Sequence, residues 1–340
     1  GYSITPDKSP GANDQMLDIQ LKSPGYTCQL LKVRKNRIIA KRNFFQRLIS
    51  GEIPAYSSIP ISNFEIINDS ISFLRPEATT KEYLHLGDVI YPLNFEETPI
   101  SGTPDFKINT LNQGMLSVSL AEMQERVKNQ ITTRTFWLGT DVFGRDLLSR
   151  LLIGLRISLL VGLIAVVISL TIGIFIGAIG GYFGGRVDDL IMFLVNTVWS
   201  IPTLLLVFAI VLTLGKGISN IFIAVGLTMW VEVARIVRGQ VMSFRKQAFV
   251  EAAQSMGFNN FRIIFRHILP NVTGPLLVIA AANFATAILI EAGLSYLGFG
   301  IEPPQPSWGT MLNENYGYAL SGKPLVALVP AMAILLLVLS

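Results

Sequence analysis

The sequence predicts an α-helical, polytopic membrane protein with a mixed α/β region at its N-terminal end. Three observations carry this. Hydrophobic residues make up 51% of the 340 positions and charged residues only 15%, with a mean hydropathy of +0.50, outside ordinary soluble usage. Charge is uneven: residues 1–150 hold 17 of the 27 Lys and Arg and 16 of the 23 acids. Beyond them lie apolar stretches of about 20 residues, the helix length that a bilayer core of about 30 Å requires. The chain therefore divides into a polar region, 1–136, and a membrane domain, 137–340, whose surface is solvated by lipid.

The polar region opens on a turn-rich run, YSITPDKSPGAN, with neither an initiator methionine nor a signal peptide. Ser62–Ile67 and Ser70–Leu74, joined through Asn68-Asp69, read as a hairpin with a two-residue turn. Val89–Phe95 reads as a further strand, placed at an edge by Pro92. Ser117–Asn129 has a helical period, with Ser119 as cap and Glu122 three residues later. Cys28 is the only cysteine, so no intrachain disulfide can form.

The membrane domain begins near GTDVFGRDLLSRLLIGLRISLLVG, Gly139–Gly162. Thr140 or Asp141 suits a helix cap, and Arg145, Asp146, Arg150 and Arg156 suit the headgroup level, where long side chains snorkel. Five spans follow: Ile157–Ile179; Leu190–Leu214, kinked at Pro202; Ile218 to about Val237; Thr273 to about Leu297; and a fifth from Leu325 that is still apolar at Ser340. Seven glycines, Gly162, Gly173, Gly177, Gly180, Gly181, Gly184 and Gly185, permit close helix approach and suit packing against a partner subunit. Glu232 and Arg235, three residues apart, predict a local ion pair. Glu291 is an acid within the fourth span. Such a group marks a pathway or gate, or else pairs locally near a helix end.

Between the third and fourth spans lies a polar segment, 239–271. Within it, Glu251–Asn271 reads as two short amphipathic helices hinged at Gly257. The first puts Ala248, Phe249, Ala252, Ala253 and Met256 on one face; the second puts Phe261, Ile264, Phe265 and Ile268 on one face and ends at Pro270. From Glu232 to Asn271 the basic residues are Arg235, Arg238, Arg245, Lys246, Arg262 and Arg266, so the positive-inside rule puts this segment in the cytoplasm. Counting crossings back puts residues 1 to about 150 outside. The cluster Lys32, Arg34, Lys35, Arg37, Lys41 and Arg42 runs against this, but long loops are largely exempt from the rule.

Glu251, Ala252 and Ala253, then Gly257, then Leu269 and Pro270 resemble the coupling loop of permease subunits in ABC importers, the loop that the ATPase subunit grips. RHILPN, Arg266–Asn271, is similar to the branch that moves peptides and nickel. Gly139–Gly162 and EAGLSYLGFGIEPPQPSWGTML, Glu291–Leu312, resemble that branch too, the latter its second, C-type permease subunit. These blocks and the spans between them cover about 135–340. The resemblance implies a type I importer permease fold, with a helix before Gly1 giving six in the whole protein and continuation past Ser340. It also implies a heterodimer with a second permease, two ATPase subunits, an extracytoplasmic substrate-binding protein and a bacterial inner-membrane location. ATP and Mg would be used by the partners, and none would be bound by this chain. Peptide or nickel cargo both fit the branch.

Other classes fit less well. A pI near 9.1 invites nucleic acid, but the basic residues form no patch interleaved with aromatics. An enzyme would need nucleophile, base or metal ligands, and the histidines are His85, in the outer part, and His267, flanked by apolar residues. No G-x-x-x-x-G-K-[ST] loop occurs. A stand-alone secondary transporter or channel would want more charge within its spans and would have no use for a docking helix pair.

Overall fold

The computed structural model describes residues 2, 4–39, 43, 46–47, 50–93, 105–111 and 114–339. The chain forms two compact units: 1–153 with 303–306 and 314–328, and 154–302 with 307–313 and 329–340.

The first unit is built on antiparallel strands. β1 (Tyr26–Arg34) lies between β2 (Tyr56–Ile61) and β8 (Ile131–Phe136). β3 (Asn63–Ile67), β4 (Ser70–Leu74) and β5 (Lys81–His85) form a second sheet, and β6 (Asp105–Thr110) pairs with β7 (Gly114–Ser119). The predicted hairpin is present: Ile67 faces Ser70, and Asn68 takes the left-handed backbone (φ 53°) that the two-residue turn demands. The predicted helix starts one turn later than its pattern, as α2 (Leu120–Asn129). Ser119 caps it by accepting from the Glu122 N–H, while Ser117 and Val118 belong to β7.

Of the strand expected at Val89–Phe95, Val89 and Ile90 instead end a helix, α1 (Leu86–Ile90), and Leu93 makes an isolated antiparallel bridge to Thr110; Asn94 and Phe95 lie outside the described residues, as do Lys41 and Arg42 of the basic cluster. His85 Nδ1 accepts from the Gly87 N–H at 3.1 Å, and Leu86, Val89 and Ile90 are all buried at helical spacing. Burial of that stripe against Leu31, Ile71, Phe73 and Met123 outweighs the strand propensity of Val, Ile and Tyr.

Of the charged residues expected at the headgroup level, Arg156 is half-buried, while Arg145, Asp146 and Arg150 are interior, together with Asp141. Asp141, Arg145, Asp146 and Arg150 are each at most 2% exposed. Arg145 reaches Asp141 at 2.6 Å and Glu314 at 2.5 Å; Arg150 reaches Glu314 at 3.2 Å and Asp141 at 3.5 Å. Two cations and two carboxylates cancel one another, which is what lets them leave water. Asp141 also accepts from the backbone N–H groups of Phe143 and Arg145. The helix cap is neither Thr140 nor Asp141 but Asp146, whose Oδ2 accepts from the Ser149 N–H at 3.1 Å. Burial pushes the Asp146 carboxyl above its ordinary value, opposed by Ser149 and by Arg134 at 3.5 Å.

The remaining helices are α3 (Leu147–Phe183), α4 (Gly185–Trp199), α5 (Thr203–Leu214), α6 (Ile218–Phe244), α7 (Ala248–Ser255), α8 (Thr273–Tyr296), α9 (Trp308–Leu320) and α10 (Leu325–Leu339). Among the described residues α3, α6 and the run Asn260–Tyr296 are long and apolar enough to cross a membrane. The span expected at Leu190–Leu214 is broken, not kinked: α4 and α5 meet at 86° around Ile201 and Pro202. The fifth, α10, has 15 residues here.

The glycines of α3 serve contacts within the chain. A Cβ on Gly177 would lie 2.4 Å from the Ala234 carbonyl oxygen, and one on Gly181 would lie 2.6 Å from that of Arg238. Gly173, Gly177 and Gly181, four residues apart, thus let α3 approach the α6 backbone, so this stripe packs against α6 and not against a partner.

Removing one member of the buried quartet tests its balance. Arg145→Met should cost about 3–5 kcal/mol, because Asp141 and Glu314 each lose their shorter partner. It is read as a fall in the unfolding midpoint of the purified full-length protein.

Candidate coupling site

The Glu251–Asn271 segment folds back on itself at Gly257. Gly257 (φ 76°) donates its N–H to the Gln254 carbonyl at 2.9 Å, and Phe258 donates to the Ala253 carbonyl at 3.2 Å. This pair of bonds is the Schellman ending of a helix, and the left-handed residue at its centre calls for glycine. Asn259 starts the next helical turn by accepting from the Arg262 N–H at 2.8 Å.

The second half does not end at Pro270. A short α turn, Asn260–Arg262, becomes a π-helical stretch, Ile263–Ile268, then a 3-10 turn, Leu269–Val272, and runs straight into α8. A proline inside a helix removes one N–H and crowds the carbonyl four residues back; the wider π turns before it absorb both effects.

One face of this folded segment is fixed. Val250, Ala253, Ile263, Ile264, Ile268 and Val272 are buried with Ala178, Tyr182, Val237 and Val241 of α3 and α6. Tyr182 ties the turn from beneath: its hydroxyl donates to Asn260 Oδ1 at 3.0 Å and accepts from Gln254 Nε2 at 3.5 Å. His267 stacks on Phe258 at 5.7 Å between centroids, the packed role its apolar neighbours suggested. The Arg262 guanidinium sits over the same Phe258 ring, 4.9 Å from its centre.

The other face is free. Phe249, Met256, Phe261 and Phe265 are 40%, 65%, 62% and 50% exposed. Phe261 and Phe265 lie with rings parallel at 6.2 Å. Of the residues predicted for coupling, Glu251, Ala252, Gly257 and Pro270 are on the exposed side, Leu269 is half-buried, and Ala253 is part of the buried underside. The two predicted apolar faces are therefore each split. Ala253, Ile264 and Ile268 anchor the segment, while Phe249, Met256, Phe261 and Phe265 project from it.

Two further contacts brace this region, and the sequence pattern did not reveal them. Arg238 of α6 grips Asp188 of α4 with both arms, Nη2 to Oδ2 at 2.5 Å and Nε to Oδ1. Arg235 does not pair with Glu232; it donates to Asn196 Oδ1 at 2.9 Å and lies 3.3 Å from the centre of the Trp199 ring.

Glu291 is fully buried. Its carboxylate accepts from Ser295 Oγ at 2.7 Å and Ser158 Oγ at 3.5 Å, and Ser307 also bonds to it. A carboxylate can only accept, and three hydroxyls from α8, α3 and the segment before α9 supply the donors. The arrangement favours the local-pairing reading of this acid and joins three parts of the second unit.

The profile for the "binding-protein-dependent transport system inner membrane component" family matches residues 169–340. The chain is 43% identical over 182 residues to the oligopeptide transport system permease protein OppC of Bacillus subtilis, covering 54% of this chain and 60% of that relative, less than two thirds of its length. It is 38% identical over 212 residues to the glutathione transport system permease protein GsiD of Pectobacterium atrosepticum, covering 62% of this chain and 70% of the relative. Among solved structures, the MetNI methionine ABC transporter in inward-facing conformations aligns with TM-score 0.46 at 20% identity, over 56% of this chain and 89% of that one.

Glu291→Leu should lower the unfolding midpoint of the purified protein clearly more than Glu291→Gln. The leucine leaves three buried hydroxyls without their acceptor, at about 1–3 kcal/mol for each group left unsatisfied, whereas glutamine retains one acceptor oxygen.

Proposed function

We propose that this chain, which belongs to the family of binding-protein-dependent transport system inner membrane components, forms half of the translocation pore of an ATP-driven peptide importer. The observation that carries the reading is the two-faced segment Ala248–Val272. Its underside is locked to α3 and α6, and its outer side offers aromatic and Met side chains to a partner. The similarity to oligopeptide and glutathione permeases favours peptides over nickel, since oligopeptides and glutathione are both peptides.

In this reading a second permease completes the pore, and two ATPase subunits seat on the exposed faces of the two coupling segments. ATP and Mg belong to those subunits; this chain supplies no catalytic group. Closure of the ATPases displaces α7, and the buried contacts of Val250, Ala253 and Tyr182 pass the displacement to α3 and α6 as rigid rods. Residues 1 to about 150 lie outside, where a loaded substrate-binding protein delivers its cargo. Nucleotide thus biases a two-state element and performs no chemistry on the cargo.

Uptake of labelled tripeptide and of labelled nickel, compared in cells lacking the full-length gene and in cells with it restored, tests the cargo. Loss of peptide uptake alone is expected; loss of nickel uptake alone would move the chain to the metal branch. Gly257→Val and Glu251→Lys test the coupling. The first puts a β-branched side chain on a left-handed backbone, and the second reverses an exposed charge in the first turn of α7. Each is expected to insert in the membrane and to abolish transport; normal transport by either would overturn the assignment.

A further inference from the structure

The break between α4 and α5 opens a cavity of about 260 Å³ in the second unit. Its walls include Leu204 of α5, Met229 of α6 and Ile290 of α8, with Thr286 and Thr228 as neutral polar groups. Glu232 is the one ionisable residue that lines it.

Glu232 lies fourteen residues into α6, which runs from Ile218 to Phe244, about 20 Å from either end at 1.5 Å per residue. α6 is about 40 Å long, and the stretch read from the sequence as crossing the membrane, Ile218 to about Val237, puts Glu232 about 8 Å from its cytoplasmic end. Its side chain is exposed, and among the described residues no hydrogen bond or ion pair reaches its carboxylate. The cation one turn away, Arg235, is committed to Asn196 and Trp199. An ionisable group within a span is costly against lipid and faces a water-filled cavity or a partner. Asp188 is paired with Arg238 and Glu291 is bonded to hydroxyls, so Glu232 differs from both. A carboxylate that no contact within the chain offsets suits a face of α6 that meets water.

We propose that the cavity is a subsite on the transport path for the protonated amino end of the cargo. The Glu232 carboxylate receives an organic ammonium, and Leu204, Met229 and Ile290 take the apolar group beside it. The charge stabilises the ammonium beside the apolar wall and, being a single contact, lets it go again. This rests on the reading of the chain as half of a pore, and the test separates the two.

The test uses the full-length chain assembled with its partners in proteoliposomes, with every native cysteine, Cys28 among them, replaced by serine and Leu204→Cys added, so that this chain has one thiol, at the cavity wall. It is exposed to a cationic and an anionic thiol reagent, 2-(trimethylammonium)ethyl and 2-sulfonatoethyl methanethiosulfonate. Labelling of this chain is followed by mass spectrometry, with each rate normalised to the same reagent's rate on a free thiol. The cation should label roughly fivefold faster than the anion, and adding Glu232→Gln should bring the ratio down to about one. Equal normalised rates with Glu232 present, or a ratio unmoved by Glu232→Gln, would overturn the subsite while leaving a water-filled path intact. Failure of both reagents to label, in an assembly that hydrolyses ATP, would mean the cavity is closed and would overturn both the subsite and the placing of this face on the pore.

Discussion

The left-handed backbone at Gly257 is the constraint on which the functional account depends. It ends α7 and turns the chain so that Ala253 and Ile264, on successive helical pieces, enter one buried cluster. Any other L-residue would cost about 1–2 kcal/mol for that backbone. There is open space around the position, so the demand is conformational and not steric. With the reversal fixed, Phe249, Met256, Phe261 and Phe265 have no route to the interior and are left as an outward apolar surface. A small, rigid, apolar projection held to two long helices is suited to transmitting a push.

Charge is handled in three ways, and each follows from how far the group is from water. Asp141, Glu314, Arg145 and Arg150 neutralise one another in the first unit. Glu291 is satisfied by neutral hydroxyls, which costs no second desolvated ion. Glu232 has neither device, and that difference locates the proposed transport path on the cavity side of α6. Arg235 explains why the sequence misleads here. Its spacing from Glu232 suits an ion pair, but the Trp199 ring and Asn196 offer a planar guanidinium a better seat.

Much of this was legible in residue order. The apolar runs gave the helices, Gly257 gave the hinge, and Asn68-Asp69 with Ser119 gave a hairpin and a cap. What the sequence hid was partner choice across long separations. Arg145 and Arg150 look like interfacial side chains until Glu314, more than 160 positions away, supplies their counter-charge. Val89 and Ile90 are strand-forming residues, and the surface they bury with Leu86 makes them helical. Pro270 ends a helix by local rules, but π turns before it carry the chain through. The glycines of α3 announced close packing without saying that α6 of the same chain would fill the space. For the coupling segment, the sequence grouped the apolar residues by face, and the structure divided each group between anchor and projection.

The central claim is that the exposed aromatic face of this segment is gripped by an ATPase. A photoreactive phenylalanine analogue at Phe261, in the full-length protein in native membranes, tests it directly once the covalent products are identified by mass spectrometry. The account predicts a cross-link to a subunit with a nucleotide-binding P-loop, and none when the analogue replaces buried Ile263. Cross-links to lipid alone, in membranes where the transporter is assembled and active, would contradict it.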